Sequence, residues 1–391
     1  MATSAAPTAP NRWARWAHWL ERSLYFRWLR RLYTRYAHIS PAVFFGGGVL
    51  WDVLTLRQID HIVDNLILLA YLLLLGGSIV LAALRLVDTL PARPLLKTIA
   101  PFSTASVQFF MGGLFSAYVV YFTRSASLTA SAVFLVVLIV LLVANEFLWK
   151  RSLNLYVVLG LYFVAVFCFL TFTLPILVGS MSYALFVAGG LISLALVGGL
   201  ALALEHWNVF DSLRDVARIG ALLVVLFLGM NIAYLQNWIP PVPLALNAGD
   251  VYHQVERTDA GYELTYETPP WTRFWRQSSR PFTFAEDDRV YCFTAIFAPT
   301  ALETDVVHHW QRRHTTEDGT TWQTTDRLPY TVRGGRLDGF RGYTFKSNVE
   351  PGAWRVDVET ASGRTLGRVR FDVVAADDDE DERSFRTRVY E

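Results

Sequence analysis

Aromatic and arginine side chains in the C-terminal third are the residues best suited to bind a ligand. Trp271 and Trp275 follow a pair of prolines in a stretch without a strand pattern. Exposed rings can stack on a sugar face, and neighbouring guanidinium groups can hold hydroxyls or an anion. The predicted ligand-binding set is Trp271, Trp275, Arg333, Arg336, Arg341 and Tyr343. For the two tryptophans, an equal alternative is a loop that rests on the membrane surface, where Trp is enriched.

A second polar group lies beside the first apolar stretch. It consists of Asp52, Arg57, Asp60, His61 and Asp64. Such a cluster could relay protons or ions, but relays place carboxylates at mid-membrane depth and these residues lie near predicted span ends. The sequence therefore favours solvated positions at helix ends and keeps a relay as the alternative.

Histidines in the C-terminal third raise the question of a metal. In a strand, His308 and Trp310 would share one face and His309 would lie on the other, so we predict packing and no metal site. No nucleophile with its base, phosphate loop or dinucleotide motif occurs. We therefore predict no cofactor and favour a protein that is not an enzyme. The net charge of +1 also argues against a nucleic-acid partner.

Apolar stretches long enough to cross a bilayer fill the middle of the chain, which is 53% hydrophobic overall. A span needs roughly 20 apolar residues. The pattern predicts about seven spans, at residues 38–56, 62–84, 101–122, 128–148, 153–175, 183–204 and 217–238. We therefore predict a multi-pass helical domain over residues 38–240, in which the first span is the weakest because it contains three consecutive glycines.

Basic residues fall in alternate loops. Those after the second, fourth and sixth spans are Arg85, Arg93, Lys97, Lys150, Arg151, Arg214 and Arg218. By the positive-inside rule, the N-terminus is cytoplasmic and the C-terminal domain lies outside. This pattern predicts a multi-pass membrane protein that presents its C-terminal domain on the non-cytoplasmic side.

The segment 1–37 precedes the predicted spans, and its lack of an apolar run near Met1 predicts that it is not a cleavable signal peptide. Trp13, Trp16, Leu20 and Leu24 recur at helical spacing, while arginines lie largely elsewhere. A basic amphipathic helix of this kind is typical of a membrane surface, so we predict contact with the bilayer and with anionic lipid. A helix packed against the bundle is the alternative.

The C-terminal domain, residues 241–375, contains short β-rich runs separated by turn signals. This pattern predicts an antiparallel β-sandwich of the immunoglobulin-like type, with about seven to nine strands. Trp310, Trp322 and Trp354 are predicted to lie in its core. The acidic segment that follows, residues 376–391, is predicted to be disordered.

Several motifs in this domain carry a family resemblance. They are Val290-Tyr291-Cys292-Phe293-Thr294-Ala295-Ile296, His308-His309-Trp310, Gly334-Gly335-Arg336 and Gly352-Ala353-Trp354-Arg355-Val356. With them the chain resembles bacterial membrane proteins that carry a C-terminal domain of unknown function after a multi-pass region. The resemblance implies a bacterial envelope protein and supplies no activity.

The residues and the resemblance together predict a membrane protein whose periplasmic sandwich binds an envelope ligand, such as a glycan, or a partner protein. The alternative is a transporter or membrane enzyme with its site between Asp52 and Asn65. In that case the β-domain would be an accessory.

Overall fold

A computed structural model describes residues 47, 62–91, 93–124, 132–148, 154–210, 212–285, 287–300, 302–316, 319–336, 338–376 and 383–390. The predicted amphipathic helix 1–37 lies outside these residues, as does the predicted first span 38–56 apart from Gly47. The described chain divides into two compact units. The first comprises residues 1–119, 137–170 and 187–230, and the second comprises residues 120–136, 171–186 and 231–391. The second unit thus combines several helix ends with the whole β-region.

The helices are continuous apolar segments that satisfy their own backbone hydrogen bonds, as a bilayer requires. They are α1 (Ile62–Leu86), α2 (Pro94–Ile99), α3 (Ser103–Arg124), α4 (Ala132–Leu148), α5 (Leu155–Val178), α6 (Tyr183–His206) and α7 (Leu213–Leu235), with a 3₁₀ turn at Ala100–Phe102 between α2 and α3. Within the described residues, five helical segments are long and apolar enough to cross a membrane: Ile62–Leu86, Pro94–Thr123, Leu155–Val178, Tyr183–His206 and Leu213–Leu235. By length and composition, the described helices therefore suit a membrane-spanning region.

The predicted count of seven spans stays a prediction, because the first predicted span lies outside the described residues. The fourth, predicted at 128–148, corresponds to α4, which has 17 residues and is shorter than the other spans. Residues 125–131, which precede it, are not described.

The spans differ in how much of their surface other residues cover. The apolar windows of Pro94–Thr123 and of α5 are each 72% buried, whereas that of α7 is only 17% buried. Within the first unit, Tyr118 of α3 donates a hydrogen bond to the Ala165 carbonyl of α5 over 2.8 Å. The exposed apolar residues of α7 fit a lipid-facing helix.

The described residues of the β-region form eleven strands, ten of which lie within residues 241–375, where about seven to nine were predicted. They are β1 (Ala245–Tyr252), β2 (Gln254–Thr258), β3 (Gly261–Glu267), β4 (Phe282–Phe284), β5 (Val290–Phe297), β6 (Glu303–Thr316), β7 (Gly319–Arg333), β8 (Phe340–Lys346), β9 (Gly352–Thr360), β10 (Thr365–Ala375) and β11 (Phe385–Tyr390). They form a three-stranded sheet β1-β5-β8, a five-stranded sheet β4-β10-β9-β6-β7 and a three-stranded sheet β11-β3-β2. The predicted sandwich was antiparallel, but β4 pairs with β10 in parallel at one sheet edge.

The β1-β5-β8 sheet has buried residues on both faces. On one face, Cys292 of β5 shares a core with Trp310 of β6 and Trp354 of β9. On the other face, Phe293 packs with Tyr252 and with Leu264 of β3. The β-region therefore has three layers rather than the two of the predicted immunoglobulin-like sandwich.

The third layer includes part of the tail that the sequence predicted to be disordered. Residues 385–390 form β11, which pairs antiparallel with β3 from Phe385 opposite Glu267 to Tyr390 opposite Tyr262. The prediction of disorder is wrong for this strand, because Tyr390 packs on Phe293 and Arg388 donates to the Tyr252 hydroxyl. The acidic run 377–382 lies outside the described residues.

Candidate functional site

Five arginine side chains of the β-region line a cleft of about 630 Å³. The arginines that line it are Arg273, Arg276, Arg280, Arg313 and Arg370. One carboxylate, Asp372, shares the wall, with Trp322 and Trp354 beside it. This arrangement gives the cleft a net positive charge, which attracts an anion.

Some of these arginines are held by the protein and others are open to a ligand. Arg280 forms an ion pair with Asp250, and Arg276 donates to the Arg280 carbonyl over 2.7 Å. Among the residues that the structure describes, no ion pair forms with Arg273, Arg313 or Arg370. These three side chains are also exposed, so they can donate bidentate hydrogen bonds to a carboxylate or phosphate group.

An aromatic rim belongs to the same loop as two of the cleft arginines. Trp271 is 85% exposed and Trp275 is 67% exposed, and Phe274 packs edge-on against Trp275 at 5.3 Å between centroids. Arg273 and Arg276 lie within this loop. Exposed rings beside open guanidinium groups suit a flat ligand with an apolar face and an anionic edge.

The cleft lies at the distal end of the β-region, meaning the end opposite the start of β1. Arg370 is at the middle of β10 and Asp372 is in its second half, while Arg364, just before β10, contacts Tyr234 of α7 within the second unit. At about 3.3 Å per residue, Arg364 and Arg370 are roughly 20 Å apart along the strand. The loop of Trp271 and Trp275 is therefore remote from the end of α7.

The remaining predicted ligand residues do not join these tryptophans. Arg333 pairs with Glu303 over 3.2 Å at the helix-proximal end of β7, the end near the start of β1, and Arg336 follows it as an exposed residue. Arg341 and Tyr343 lie on β8 in a third place, where Arg341 stacks over Tyr390 and Tyr343 packs against Tyr262 and Tyr291. The predicted set is thus divided among three places.

The tryptophans predicted to form the core do not all lie there. Trp310 is fully buried and Trp354 is nearly so, as predicted. Trp322 is different, because it is half-buried on the outer face of the five-stranded sheet and lines the cleft. The guanidinium of Arg355 covers it, which accounts for an exposed-face Trp in a strand.

His308 lies on the inner face of its strand and is fully buried. Its Nε2 hydrogen-bonds to Thr294 over 3.0 Å and its Nδ1 to Thr344 over 2.8 Å. Burial lowers the pKa of His308 to about 3, so the ring is neutral at physiological pH. With both nitrogens occupied by protein hydroxyls, this histidine holds the sheets together and has no room for a ligand.

His309 lies on the outer face of the same strand. It hydrogen-bonds to Glu359 over 3.0 Å and to Thr324 over 2.7 Å, and Arg327 pairs with the same carboxylate over 2.8 Å. This is a satisfied polar network. In the described part of the chain, no group of three or more His, Cys, Asp and Glu side chains is placed to hold a metal ion.

Of the predicted polar cluster near the first span, only Asp64 is described. It lies in the first turn of α1 and is buried. Asp52, Arg57, Asp60 and His61 lie outside the described residues, so a relay through them stays a prediction.

The sequence match to a known family lies within the β-region. Residues 303–373 match the family model "Protein of unknown function (DUF2914)". This confirms the predicted C-terminal domain of unknown function. No curated protein matches the chain. The DUF2914 segment runs from the start of β6 almost to the end of β10, and it contains the cleft residues Arg313, Trp322 and Arg370, whereas Arg273, Arg276 and Arg280 lie before it.

The cleft arginines were missed in the sequence because three separate segments contribute them. Arg273, Arg276 and Arg280 do form a spacing of three and four residues next to the predicted tryptophans. That local enrichment is the one signal that could have identified them. Arg313 and Arg370 join it only through the pairing of β6, β9 and β10.

Proposed function

We propose that this chain is a bacterial inner-membrane protein whose β-region, exposed to the periplasm, binds an acidic envelope glycan in the arginine cleft. Two observations carry the proposal: three open arginines line one concave site, and the loop that contributes Arg273 also carries the exposed rings of Trp271 and Trp275. Concave sites of about 300–1,000 Å³ accommodate small or segmental ligands. A flat protein partner would not need such a cleft.

The type of ligand follows from the chemistry of the walls. Arg273, Arg313 and Arg370 supply planar donors for carboxylate or phosphate groups, while Trp271 and Trp275 supply faces for sugar rings. A neutral glycan would leave the arginine charge uncompensated. An anionic polymer meets both features, and its binding should weaken with salt because the arginines are exposed.

The periplasmic location is supported by local charge. Arg214 and Arg218 lie at the start of α7, and no basic residue lies in the turn between α5 and α6. The positive-inside rule then places the start of α7 in the cytoplasm and its end, with the β-region after it, outside. This argument does not use the total number of spans. A phosphatase reporter fused after Glu391 should be active, and one fused after Asn208 inactive; the reverse pattern would contradict this orientation.

The binding proposal is tested with the full chain in nanodiscs. Polygalacturonate is the acidic probe and dextran the neutral one. Combined R313Q and R370Q changes should weaken polygalacturonate binding about tenfold or more, because two charge-assisted contacts are lost. The matched control is R257Q, which removes an exposed arginine from β2 in a different sheet. Equal binding by both variants, or equal binding of dextran, would contradict the proposal.

A further inference from the structure

A second cavity, of about 340 Å³, lies at the helix-proximal end of the β-region. All of its lining residues belong to the second unit. They include Ser182 and Tyr183 at the start of α6, Tyr234 and Leu235 at the end of α7, and Ser362 and Arg364 in the turn from β9 to β10.

Arg364 is the charged group in this cavity and is only 6% exposed. Its guanidinium carbon lies 3.2 Å from the centroid of the Tyr234 ring, and its Nη2 donates to the Tyr234 carbonyl over 2.7 Å. Over the described residues, no carboxylate forms an ion pair with it. A ring face and one carbonyl offset the burial of a positive charge only partly, because a buried cation is normally matched by an anion.

Two carboxylates near the cavity are already engaged. Glu303 pairs with Arg333, and Asp305 accepts a hydrogen bond from Thr331 over 2.7 Å. Among the described residues, no carboxylate therefore pairs with the buried guanidinium of Arg364, and an anion that enters the cavity can bind it.

Other donors in the cavity fit a group with several oxygens. Ser182 accepts a hydrogen bond from the Leu185 backbone over 3.2 Å, which leaves its own hydroxyl proton available. Ser362 shares a 3.0 Å hydrogen bond with Thr360. The first backbone N–H groups of α6, a helix of 24 residues, also lie at this wall and carry partial positive charge.

The cavity lies beside the ends of two apolar helices, and this position indicates the source of its ligand. Its walls are formed by the start of α6 and the end of α7, both membrane-spanning segments. Tyr183 is 43% exposed and Trp238 is 42% exposed at this level. Tyr and Trp are enriched where spans meet lipid headgroups, and the abundant anion at that depth is the headgroup phosphate.

We propose that the cavity around Arg364 binds the phosphate group of an anionic phospholipid headgroup. The guanidinium supplies the counter-charge, and the serine hydroxyls and helix N–H groups supply hydrogen bonds to the remaining phosphate oxygens. The bound lipid would join the last span to the β-region through Arg364.

The test uses the full chain and leaves Arg364 in place, since Arg364 also contacts α7 and its removal could disturb the fold. Ala361 is exposed and lines the cavity. A361E adds a carboxylate beside Arg364, and A361Q adds the same bulk without charge. Native mass spectrometry of chain released from nanodiscs of phosphatidylcholine and phosphatidylglycerol measures which lipid is retained.

Wild type and A361Q should retain phosphatidylglycerol in preference to phosphatidylcholine, and A361E should retain it about tenfold less. In discs of phosphatidylcholine alone, the melting temperature of A361E should be equal to or higher than that of A361Q, because the new carboxylate is a counter-ion for Arg364. A lower melting temperature for A361E would contradict the proposal. Equal retention by A361E and A361Q would overturn it. Displacement of the lipid by inorganic phosphate alone would also overturn it, because the ligand would then be a free anion.

Discussion

The guanidinium of Arg355 lies over the indole ring of Trp322, 4.3 Å from the ring centroid. The same side chain donates to Gln311. Trp322 belongs to the β6–β7 hairpin, and Arg355 to β9. The stacked pair therefore ties β7 to β9 across β6 on the outer face of the five-stranded sheet. Trp322 of this pair also lines the arginine cleft.

Replacing Arg355 with Gln should lower the free energy of unfolding by about 0.5–1 kcal/mol, the usual value of a partly exposed cation–π pair. Thermal denaturation of the detergent-solubilised chain measures the change. R313Q is the control, because Arg313 makes no ion pair within the described residues and should alter ligand binding without altering stability. Equal stability of the two variants would contradict a structural role for Arg355.

Replacing Trp310 with Ala should lower the free energy of unfolding by about 3–5 kcal/mol, because a fully buried indole leaves a cavity between two sheets. Replacing Trp271 with Ala should change it by less than about 0.5 kcal/mol, since that ring is exposed. Denaturant titration of the solubilised chain compares the two. A large loss at Trp271 would show that its ring packs on protein.

His308 should make the β-region less stable as the pH falls. Burial holds the pKa of His308 at about 3 in the folded chain, below its ordinary value of 6.5. Between these values the unfolded chain binds a proton that the folded chain does not, so the free energy of unfolding falls with decreasing pH by up to about 1.4 kcal/mol per unit.

H308Q cannot titrate, so its unfolding free energy should vary less steeply than wild type between pH 6.5 and 4. Burial also lowers the pKa of His253, to about 4. His253 contributes the same pH dependence to the free energy of unfolding in wild type and in H308Q, so its contribution cancels when the two slopes are compared. Denaturant titrations at several pH values give the two slopes. Identical slopes would mean that His308 is protonated in the folded chain.

A chain that ends after Arg383 should expose the β3 edge, because β11 would be missing while the ion pair of Arg383 with Asp288 is kept. Hydrogen exchange should then be fast at β3 amides that β11 protects in the full chain. R386Q, which changes only an exposed side chain of β11, should leave that protection intact. Slow exchange in the truncated chain would show that β3 does not depend on β11.

The helices were predictable because a bilayer requires each spanning segment to be a long apolar run. Accordingly, α5, α6 and α7 each lie close to their predicted spans. The layered β-region was harder. β5 is buried along almost its whole length. Its sequence therefore lacks the alternation of apolar and polar residues that is typical of a strand with one solvent-exposed face. β11 escaped prediction because an acidic run precedes it and because its aromatic residues find partners only in the folded chain. Tyr390 packs on Phe293 of β5, and Phe385 packs on His253.

The candidate site was predicted only in part, for a related reason. Trp271 and Trp275 could be selected because their types and surroundings are visible locally. Arg370 and Arg313 are ordinary surface arginines in sequence, and only strand pairing brings them to one cleft. Arg333 and Arg341 looked equivalent to them, but strand register places them elsewhere.

The pairing of β11 with β3 also constrains the order of events during biosynthesis. β3 lies near the beginning of the β-region, and β11 is translated after all the other described strands. The central sheet can form earlier, but part of its outer aromatic face around Phe293 stays uncovered until β11 has been made. Between the synthesis of β5 and that of β11, a nascent chain therefore exposes apolar surface that favours aggregation.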